Sequence, residues 1–280
     1  MPRPSQPSTM VVLALLALAT GALAKDDSEF AAELVPAVVG VAGYDDYPYI
    51  TYDAETGNAT GFLAPLLEQL CTNARLECEI APVPALKDMI PWVQNGTVDF
   101  IIHTLSLTEE RAKLVDFVHP AFYSAGVALY TTPTQGGLLA AAGGWEGVSG
   151  EPICFVAGYY ATGALVEQYG VVPVEMESVP AAVQGVSDGK CVAAAYDTGQ
   201  PALGLPEAAG VTPAMNAPYA IPVAKGNDGL RRRLSAATVE LMMDGNNSPL
   251  LEWEQEYLTD KGVLSNANLA SVVQAVSYFE

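Results

Sequence analysis

The sequence predicts an α/β fold built from two successive strand–helix units. Short runs rich in β-branched residues alternate with segments of helical periodicity between residues 38 and 103, and this alternation returns between residues 153 and 196. Between the two stretches, residues 131–151 interrupt the alternation with a tract rich in glycine and alanine. Alternating strands and helices are typical of parallel sheets with crossover helices, so we expect two α/β units.

The first unit contains four predicted strands and two predicted helices. The first helix carries Pro65 in its first turn, where proline is tolerated, and Asn95-Gly96 ends the second. The turn at residues 53–58 separates the first two strands from the first helix. The strands are predicted at 38–41, 49–52, 79–83 and 98–103, and the helices at 61–70 and around Leu86, Ile90 and Val93.

The second unit repeats this arrangement, and the chain then becomes helical. Gly189 closes the second helix of the unit, and from Leu230 onward one apolar stripe indicates a further helix that ends at Asp244-Gly245. The strands are predicted at 153–156, 172–175 and 192–196, the helices at 162–169 and 181–188, and the stripe consists of Leu230, Leu234, Ala237 and Leu241.

Composition excludes several classes of partner. The 280 residues include 12 Lys and Arg against 32 Asp and Glu, a formal net charge of −20. Such a charge argues against binding to nucleic acid, whose phosphates need cations, and against docking on anionic lipid. Hydrophobic residues make up 50% of the chain and charged residues only 16%, so a sizeable core is expected.

The first 24 residues are predicted to be a signal peptide. Residues 11–18 form an apolar run that is too short to span a bilayer comfortably, and Ala22 and Ala24 suit a signal peptidase. The alternative is an uncleaved N-terminal anchor. Cleavage after Ala24 is favoured, and it predicts a mature protein in a periplasmic or extracellular space.

Four cysteines are expected to form disulfides, because an even count in a secreted chain favours bridges over metal ligation. A local bridge between Cys71 and Cys78 would join a helix to a strand, and one between Cys154 and Cys191 would tie two neighbouring strands. Three pairings are formally open, and buried free thiols are the alternative. The spacings fit no zinc site, and no cofactor is expected.

Three sequons suggest glycosylation if the protein follows a eukaryotic secretory route. They begin at Asn58, Asn95 and Asn246, each in a turn-like context that has room for a glycan. Sequons also arise by chance, so they predict accessible turns more than they predict modification.

The order of motifs resembles the family 3 extracellular solute-binding proteins, the polar amino-acid receptors of ABC transporters. The resemblance covers roughly residues 36–262 and includes the two cysteine pairs, which also occur in branches of the family. The motifs lie at 43–49 (Gly-Tyr-Asp-Asp-Tyr-Pro-Tyr), 61–62, 95–101, 105–111, 145–147, 154–158, 188–197 and 243–245.

The resemblance implies a type II periplasmic-binding-protein-like fold of two α/β lobes joined by two crossovers. It places lobe 1 at residues 36–128, lobe 2 at 129–221, and a return segment with C-terminal helices at 222–280. The crossovers are expected near 127–130 and 220–223. The ligand is expected in the cleft between the lobes, beyond the carboxyl ends of the strands.

The resemblance also implies a set of ligand-binding residues. Arg111 matches the arginine that holds a ligand carboxylate, for which the planar guanidinium is suited, although a surface salt bridge with Glu109 or Asp116 is the alternative. Asp197 matches the carboxylate that receives the ligand ammonium, and a helix N-cap is its alternative. Tyr47 matches the aromatic residue that covers the apolar face of the ligand, and a shift of one to three positions in the match would assign this role to Tyr44, Asp45 or Asp46 instead. The remaining expected binding residues are His103, Thr104, Ser106, Tyr159 and Tyr160.

Several positions depart from the family pattern. Leu63 and Pro65 stand where acidic residues are usual, and His103 stands where a small hydroxyl residue is common. Tyr159 and Tyr160 replace the hydroxyl residues of a turn that caps a helix over the ligand. An alternative is therefore an aromatic cage, bordered by acidic residues, that binds a cationic ligand. The cage would consist of Tyr44, Tyr47, Tyr159, Tyr160 and Tyr196.

The predicted function is therefore a monomeric, secreted solute-binding protein that captures an amino acid or a related small polar ligand for transport or sensing. An ABC transporter component or a receptor is the expected partner. An enzyme on the same scaffold, similar to cyclohexadienyl or arogenate dehydratases or to peptidoglycan lyases, is the main alternative. Such an enzyme needs a poised acid or base, for which His103 is the candidate. An orphaned sensory module is a third possibility.

Overall fold

In a computed structural model, the described residues are 34–200, 204–243 and 247–259. From Pro36 onward these residues form one compact unit. The predicted signal peptide and the predicted helix end at Asp244-Gly245 lie outside the described residues. Among the described helices, none is long and apolar enough to cross a membrane.

Strands and helices alternate along most of this part of the chain. Two short 3₁₀ helices, at Leu86–Asp88 and Gly144–Val148, supplement the α-helices. In chain order the elements are β1 (Val35–Ala42), β2 (Thr51–Asp53), β3 (Asn58–Thr60), α1 (Leu63–Asn73), β4 (Leu76–Val83), α2 (Met89–Gln94), β5 (Phe100–Ile101), α3 (Glu109–Leu114), β6 (Asp116–Phe117), β7 (Tyr123–Tyr130), α4 (Pro133–Ala141), β8 (Pro152–Val156), α5 (Thr162–Tyr169), β9 (Val172–Met176), α6 (Val179–Ser187), β10 (Ala193–Asp197), β11 (Ala214–Tyr219), β12 (Pro222–Val223), α7 (Asp228–Met242) and α8 (Pro249–Tyr257).

The strands form two five-stranded sheets and one small hairpin. The first sheet has the order β4-β1-β5-β12-β6, the second has the order β11-β7-β10-β8-β9, and β2 pairs with β3. Each large sheet combines parallel and antiparallel neighbours. In the first sheet β1 is parallel to β5, whereas β12 is antiparallel to both β5 and β6. In the second sheet β8 is parallel to both β9 and β10, whereas β7 is antiparallel to both β10 and β11. The fold is thus α/β as predicted, with two sheets that each include one or more antiparallel strands.

The sheets are connected where the chain passes between them twice. Phe117 pairs with Pro222 in the first sheet and Tyr123 pairs with Tyr219 in the second, so the crossings lie at residues 118–122 and 220–221. The sequence placed the first crossing near 127–130, which is wrong. That apolar run is the buried half of β7, paired with β10 along residues 194–197. The second crossing lies within the predicted 220–223.

Two amphipathic helices, α1 and α7, contact each other and contribute buried apolar faces to the core. Helix α1 buries one apolar face, and α7 buries a second stripe that the sequence predicted in part. Fully burying a leucine stabilises a fold by about 1.5–3 kcal/mol, so each helix is held mainly by this face. The buried side chains are Leu63, Leu66, Leu67, Leu70 and Cys71 on α1, and Leu234, Ala237, Thr238, Leu241 and Met242 on α7.

Residues 131–151 contain more regular structure than their composition indicated. Helix α4 begins there because Thr132 accepts a hydrogen bond from the backbone N–H of Gln135, and Pro133 occupies the first helical position. The small residues of this tract suit close packing: a Cβ on Gly136 would lie 3.3 Å from the Cα of Ala208. The interruption is therefore a helix and a 3₁₀ turn, not a loop.

Both predicted disulfides are confirmed. Cys71 on α1 is bonded to Cys78 on β4, and Cys154 on β8 is bonded to Cys191 just before β10, with Cα–Cα distances of 6.2 and 5.7 Å. The first bridge joins a helix to the following strand, and the second ties two neighbouring strands of the second sheet. The two bridges thus lie in the two different sheet units.

Two of the three sequons lie on exposed turns. Asn58 begins β3 and Asn95 follows α2, where its side chain accepts hydrogen bonds from the backbone N–H and the hydroxyl of Thr97. Asn246 lies outside the described residues. Glycosylation at any of the three stays a prediction.

Candidate functional site

A short irregular segment after β5 positions the serine and the arginine predicted to bind ligand. The backbone N–H of Leu107 donates to the Pro218 carbonyl at 2.8 Å, and Ser106 forms an isolated β-bridge with Tyr219. These bonds tie the segment to the second crossing between the sheets. Thr108 then caps α3 by accepting a hydrogen bond from the backbone N–H of Arg111 at 3.2 Å.

Arg111 connects the side of the first sheet to the side of the second. Its Nη1 donates to the Ser106 carbonyl at 2.8 Å, and its Nη2 donates to the Gly158 carbonyl, beyond β8, at 3.1 Å. The guanidinium carbon lies 5.9 Å from the ring centre of Tyr160. Burial lowers the pKa of Arg111, and the negative charge of Asp197 opposes this effect. Neither Glu109 nor Asp116, the salt-bridge alternatives, pairs with it: Glu109 pairs with Lys113 and Asp116 with Lys225.

Asp197 is a buried carboxylate at the carboxyl end of β10, in the middle of the second sheet. It is 3% exposed, and its two oxygens accept hydrogen bonds from the hydroxyls of Tyr159 at 2.7 Å and Tyr219 at 2.5 Å. Burial raises the pKa of Asp197 to about 6, because removing a carboxylate from water disfavours its charged form. The two tyrosine hydrogen bonds and the charge of Arg111 act in the opposite direction.

Three tyrosines line the space around Asp197. The ring centre of Tyr159 lies 5.0 Å from that of Tyr160 and 5.3 Å from that of Tyr196. Burial is the main cause that raises the pKa of all three phenols. Among the described residues, the hydroxyls of Tyr160 and Ser106 are buried without a hydrogen-bond partner. Buried polar groups normally have partners, so these two atoms are available to a bound molecule.

A second polar group lies beside these tyrosines and consists of Tyr44, Asp46, His103 and Thr104. His103 Nε2 lies 3.2 Å from Asp46 Oδ2 and 3.1 Å from the Tyr44 hydroxyl. The Thr104 hydroxyl donates to the same Asp46 oxygen at 3.4 Å. Asp46 and His103 are only 3% and 2% exposed, so this is a buried carboxylate–imidazole pair. Below we call these four residues the Asp46–His103 group.

Electrostatic coupling joins the two groups into one site. The charge of Asp46 contributes to the raised pKa of both Asp197 and Tyr196. Arg111 in turn counteracts the raised pKa of Tyr44. Two buried carboxylates therefore share the site with one guanidinium and one imidazole.

The structure brings most of the predicted binding residues to this site. The exception is Tyr47, which is 42% exposed and whose backbone N–H bonds to Asp45 at the surface. Its place is taken by Tyr44 and Asp46, which lie three and one positions earlier in the same turn. The residues that converge are His103, Thr104, Ser106, Arg111, Tyr159, Tyr160 and Asp197, as described above.

Sequence reasoning missed three contributors to the site. Asp46 was considered only as an alternative to Tyr47 if the match to the family motif shifts by one position. Two adjacent acidic residues after a buried strand are nevertheless a weak sign of a carboxylate at the strand end. Tyr219 and the Gly158 carbonyl had no signal at all. A tyrosine in β11 and a main-chain oxygen carry no sequence mark of the side chain they bind.

The site can perform two kinds of chemistry. Arg111 offers donors for an anion and Asp197 offers a buried acceptor for a cation, so a zwitterion of matching length can bind between them. The Asp46–His103 group can orient an imidazole and hold or move a proton. No cluster of metal ligands occurs among residues 34–200, 204–243 and 247–259.

Comparison with curated proteins gives two partial relatives. The chain is 36% identical over 95 residues to the glutamine-binding protein of Geobacillus stearothermophilus, which covers 33% of this chain and 35% of that protein. It is 28% identical over 82 residues to the amino-acid-binding protein AabA of Dichelobacter nodosus, covering 29% and 32% respectively. The chain thus matches about a third of the length of each relative.

Comparison with solved structures confirms the fold over most of the chain. The ancestral amino-acid-binding protein AncCDT-1, described as a precursor of cyclohexadienyl dehydratase, superposes with a TM-score of 0.67 at 19% identity, over 80% of this chain and 95% of that one. The GluR0 ligand-binding core in complex with L-glutamate gives 0.66 at 18% identity, over 81% and 99%. Both share the type II periplasmic binding protein fold.

A match to a whole family extends these likenesses. The family described as "Bacterial extracellular solute-binding proteins, family 3" matches residues 39–253, a range that begins within β1 and includes every residue of the site. The match agrees with the resemblance seen in the motifs. The chain belongs to the bacterial extracellular solute-binding proteins, family 3.

Proposed function

We propose that the protein captures an amino acid or a related small polar ligand between its two sheets, for delivery to a transporter or a sensor. The observation that carries this proposal is the pairing of Arg111 and Asp197. They bear opposite charges, come from the two different sheet units, and lie close enough for each to change the pKa of the other. An α-amino acid has a carboxylate and an ammonium at a fixed separation, and these two side chains complement them.

In the proposed complex, the ligand carboxylate lies at Arg111 and the ligand ammonium at Asp197. The hydroxyl of Ser106, which is buried without a partner, adds a hydrogen bond to the head group, and the Tyr160 side chain borders it. Thr104 and His103 contact the ligand side chain, together with Tyr44. A bidentate bond between a guanidinium and a carboxylate is among the stronger charge-assisted contacts in proteins, so Arg111 supplies the main anchor.

A thermal-shift screen of residues 25–280 against amino acids, amines and small acids tests this proposal. A ligand that binds only the folded state raises the midpoint of unfolding, by an amount that grows with its concentration over its Kd. We expect at least one amino acid to raise the midpoint. A screen in which only amines raise it would favour the cationic cage, and a screen without any shift would refute capture of these ligand classes.

Ligand capture by two lobes implies motion. The predicted boundary between residues 128 and 129 falls inside β7, so the proposed lobe 1 runs from 36 to 117 and resumes with the return segment at 222–280. The proposed lobe 2 is 123–219, and the crossings at 118–122 and 220–221 act as hinges. Because contacts come from both sides, a ligand favours the closed arrangement by its differential affinity. Small-angle scattering with a saturating ligand is expected to show a smaller radius of gyration. An unchanged radius would mean a rigid cleft and would favour an enzyme or an orphan module.

The proposed setting is the periplasm or the extracellular space, after removal of residues 1–24. A monomeric receptor that meets an ABC transporter component or a sensory receptor fits the family to which the chain belongs. Edman sequencing of the secreted protein tests the leader, with Lys25 as the expected first residue. Affinity capture from native membranes tests the partner, and recovery of a transporter permease would support transport over sensing.

A lyase or dehydratase is the second candidate function, and the Asp46–His103 group favours it. A buried carboxylate 3.2 Å from an imidazole is an arrangement that can orient a general acid or base. Turnover of prephenate or arogenate, lost in His103→Ala and reduced in Asp46→Asn, would establish this function. Saturable binding of the same compounds without product would establish the receptor instead.

A further inference from the structure

We propose that Tyr160 occupies the position of the ligand head group, so that a ligand binds by displacing the Tyr160 ring from Arg111. This inference rests on the proposed function, since it concerns the same site, and it identifies the residue that limits the affinity.

Tyr160 is surrounded by the groups proposed to hold a zwitterion. Its ring centre lies 5.9 Å from the guanidinium carbon of Arg111, a cation–π distance. Burial and the negative charge of Asp197 raise the pKa of Tyr160, and the nearby hydroxyls of Ser106 and Tyr159 oppose this effect. A large aromatic side chain thus lies among the arginine, the serine and the aspartate, and it gives Arg111 no anionic partner.

Arg111 is held by contacts that a carboxylate would improve. Two of its N–H groups donate to the carbonyls of Ser106 and Gly158, and no salt bridge to Arg111 occurs within the described part of the chain. Hydrogen bonds to a charged acceptor are roughly twice as strong as those to a neutral one. A carboxylate therefore displaces the Tyr160 ring with a net gain, but the lost cation–π contact reduces its affinity.

The loop that carries Tyr160 is anchored at Gly158. This glycine has a φ of +83°, and a Cβ there would lie 2.8 Å from the Cα of Lys87 in the first 3₁₀ helix. The backbone of the loop is thus pressed against the opposite unit while Tyr160, two residues later, is only half-buried. Rotation of the Tyr160 side chain can open the head-group position without moving the loop backbone at Gly158.

The test compares Tyr160→Ala and Tyr160→Leu, which remove the aromatic ring, with Tyr160→Phe, which removes only the hydroxyl. Leucine keeps apolar volume, so it serves if the alanine variant folds poorly. Phenylglyoxal modification of Arg111, followed by mass spectrometry, measures how well the guanidinium is covered without any ligand. Arg232, which is exposed on α7, is the internal reference. Tyr52→Ala, a truncation on the small hairpin, controls for loss of a tyrosine elsewhere.

We expect Arg111 to react several-fold faster in Tyr160→Ala and Tyr160→Leu than in wild type, and at the wild-type rate in Tyr160→Phe and Tyr52→Ala. Glycine, the α-amino acid with only a head group, is expected to bind the two ring-less variants about 2- to 30-fold more tightly than wild type. An unchanged rate at Arg111 would overturn the proposal, as would weaker glycine binding in the ring-less variants. Faster modification with no binding of glycine or of any other amino acid by any form would support the position of Tyr160 and refute amino-acid capture.

Discussion

Asp197 gives the sharpest prediction about stability, because its charge is buried and its partners are hydroxyls. Burial raises its pKa from 3.8 to about 6. The difference corresponds to about 3 kcal/mol, at 1.36 kcal/mol for each pKa unit. Since the folded pKa lies above the unfolded one, this contribution is fully present below pH 4 and is lost as the pH rises to about 6. Above that pH the ionised carboxylate makes the fold about 3 kcal/mol less stable than its protonated form would.

Replacing Asp197 with asparagine removes the titration while keeping the size of the side chain. The asparagine amide nitrogen cannot accept a hydrogen bond from a tyrosine hydroxyl, so one of the two tyrosine hydrogen bonds is weakened in the variant. This adds a difference in the free energy of unfolding that does not depend on pH. The pH-dependent part is the prediction: the free energy of unfolding of Asp197→Asn, minus that of wild type, should increase by about 2.4 kcal/mol between pH 4 and pH 7. This is less than the full difference because the unfolded carboxyl is already partly ionised at pH 4. Urea unfolding at pH 4, 5, 6 and 7 measures it.

Asp116→Asn is the matched control, because its pH trend has the opposite sign. Hydrogen bonds from the backbone N–H of Gly226 and from Lys225 lower the pKa of Asp116. Its stabilising contribution is therefore present near neutral pH and lost as the pH falls through its folded pKa. A difference between Asp197→Asn and wild type that does not change with pH would show that Asp197 is solvated, and the proposed buried cation site would lose its basis.

Two further predictions concern the loop after β8 and the second disulfide. Gly158→Ala is expected to have a lower thermal midpoint than Gly189→Ala. Both glycines have a positive φ, so both variants carry the same kind of backbone strain. A Cβ at position 158 would also lie 2.8 Å from the Cα of Lys87, whereas a Cβ at position 189 has nothing within 4 Å. Equal midpoints for the two variants would refute the close approach of the loop. Removing the Cys154–Cys191 bridge by double alanine substitution should lower the free energy of unfolding by about 3–4 kcal/mol, because the bridge closes a loop with a sequence separation of 37 residues. Urea unfolding measures this loss, and a value below about 1 kcal/mol would contradict the prediction.

The fold could be predicted because its determinants are local and repeated. Each strand–helix pair carries its own periodicity and turn residues, so the alternation, the helix at 162–169 and both disulfides were predicted correctly. Residues 131–151 were harder, since alanine and glycine give no apolar stripe. There the helix depends on a cap at Thr132 and on packing against Ala208, a residue more than seventy positions away.

The site was predictable only where one motif contains the residue. Arg111 and Asp197 each follow a recognisable segment, whereas Asp46 becomes important through His103, 57 positions further along the chain. Tyr219 is placed by the pairing of β11 with β7, and this register is fixed by the whole second sheet. The predicted position of the first crossing was wrong for a similar reason, because a short apolar run in the sequence is equally compatible with a hinge strand and with a central strand of a sheet.

Calorimetric titration of wild-type residues 25–280 and of Arg111→Ala tests the central claim, which is amino-acid capture anchored by Arg111. An amino acid identified in the thermal-shift screen is titrated into both proteins under identical conditions. We predict saturable binding to wild type and a loss of about 2–5 kcal/mol in the variant, because truncation leaves the ligand carboxylate desolvated and unpaired. The thermal midpoint of the variant without ligand should stay near that of wild type. Equal affinity in the two proteins would contradict the account.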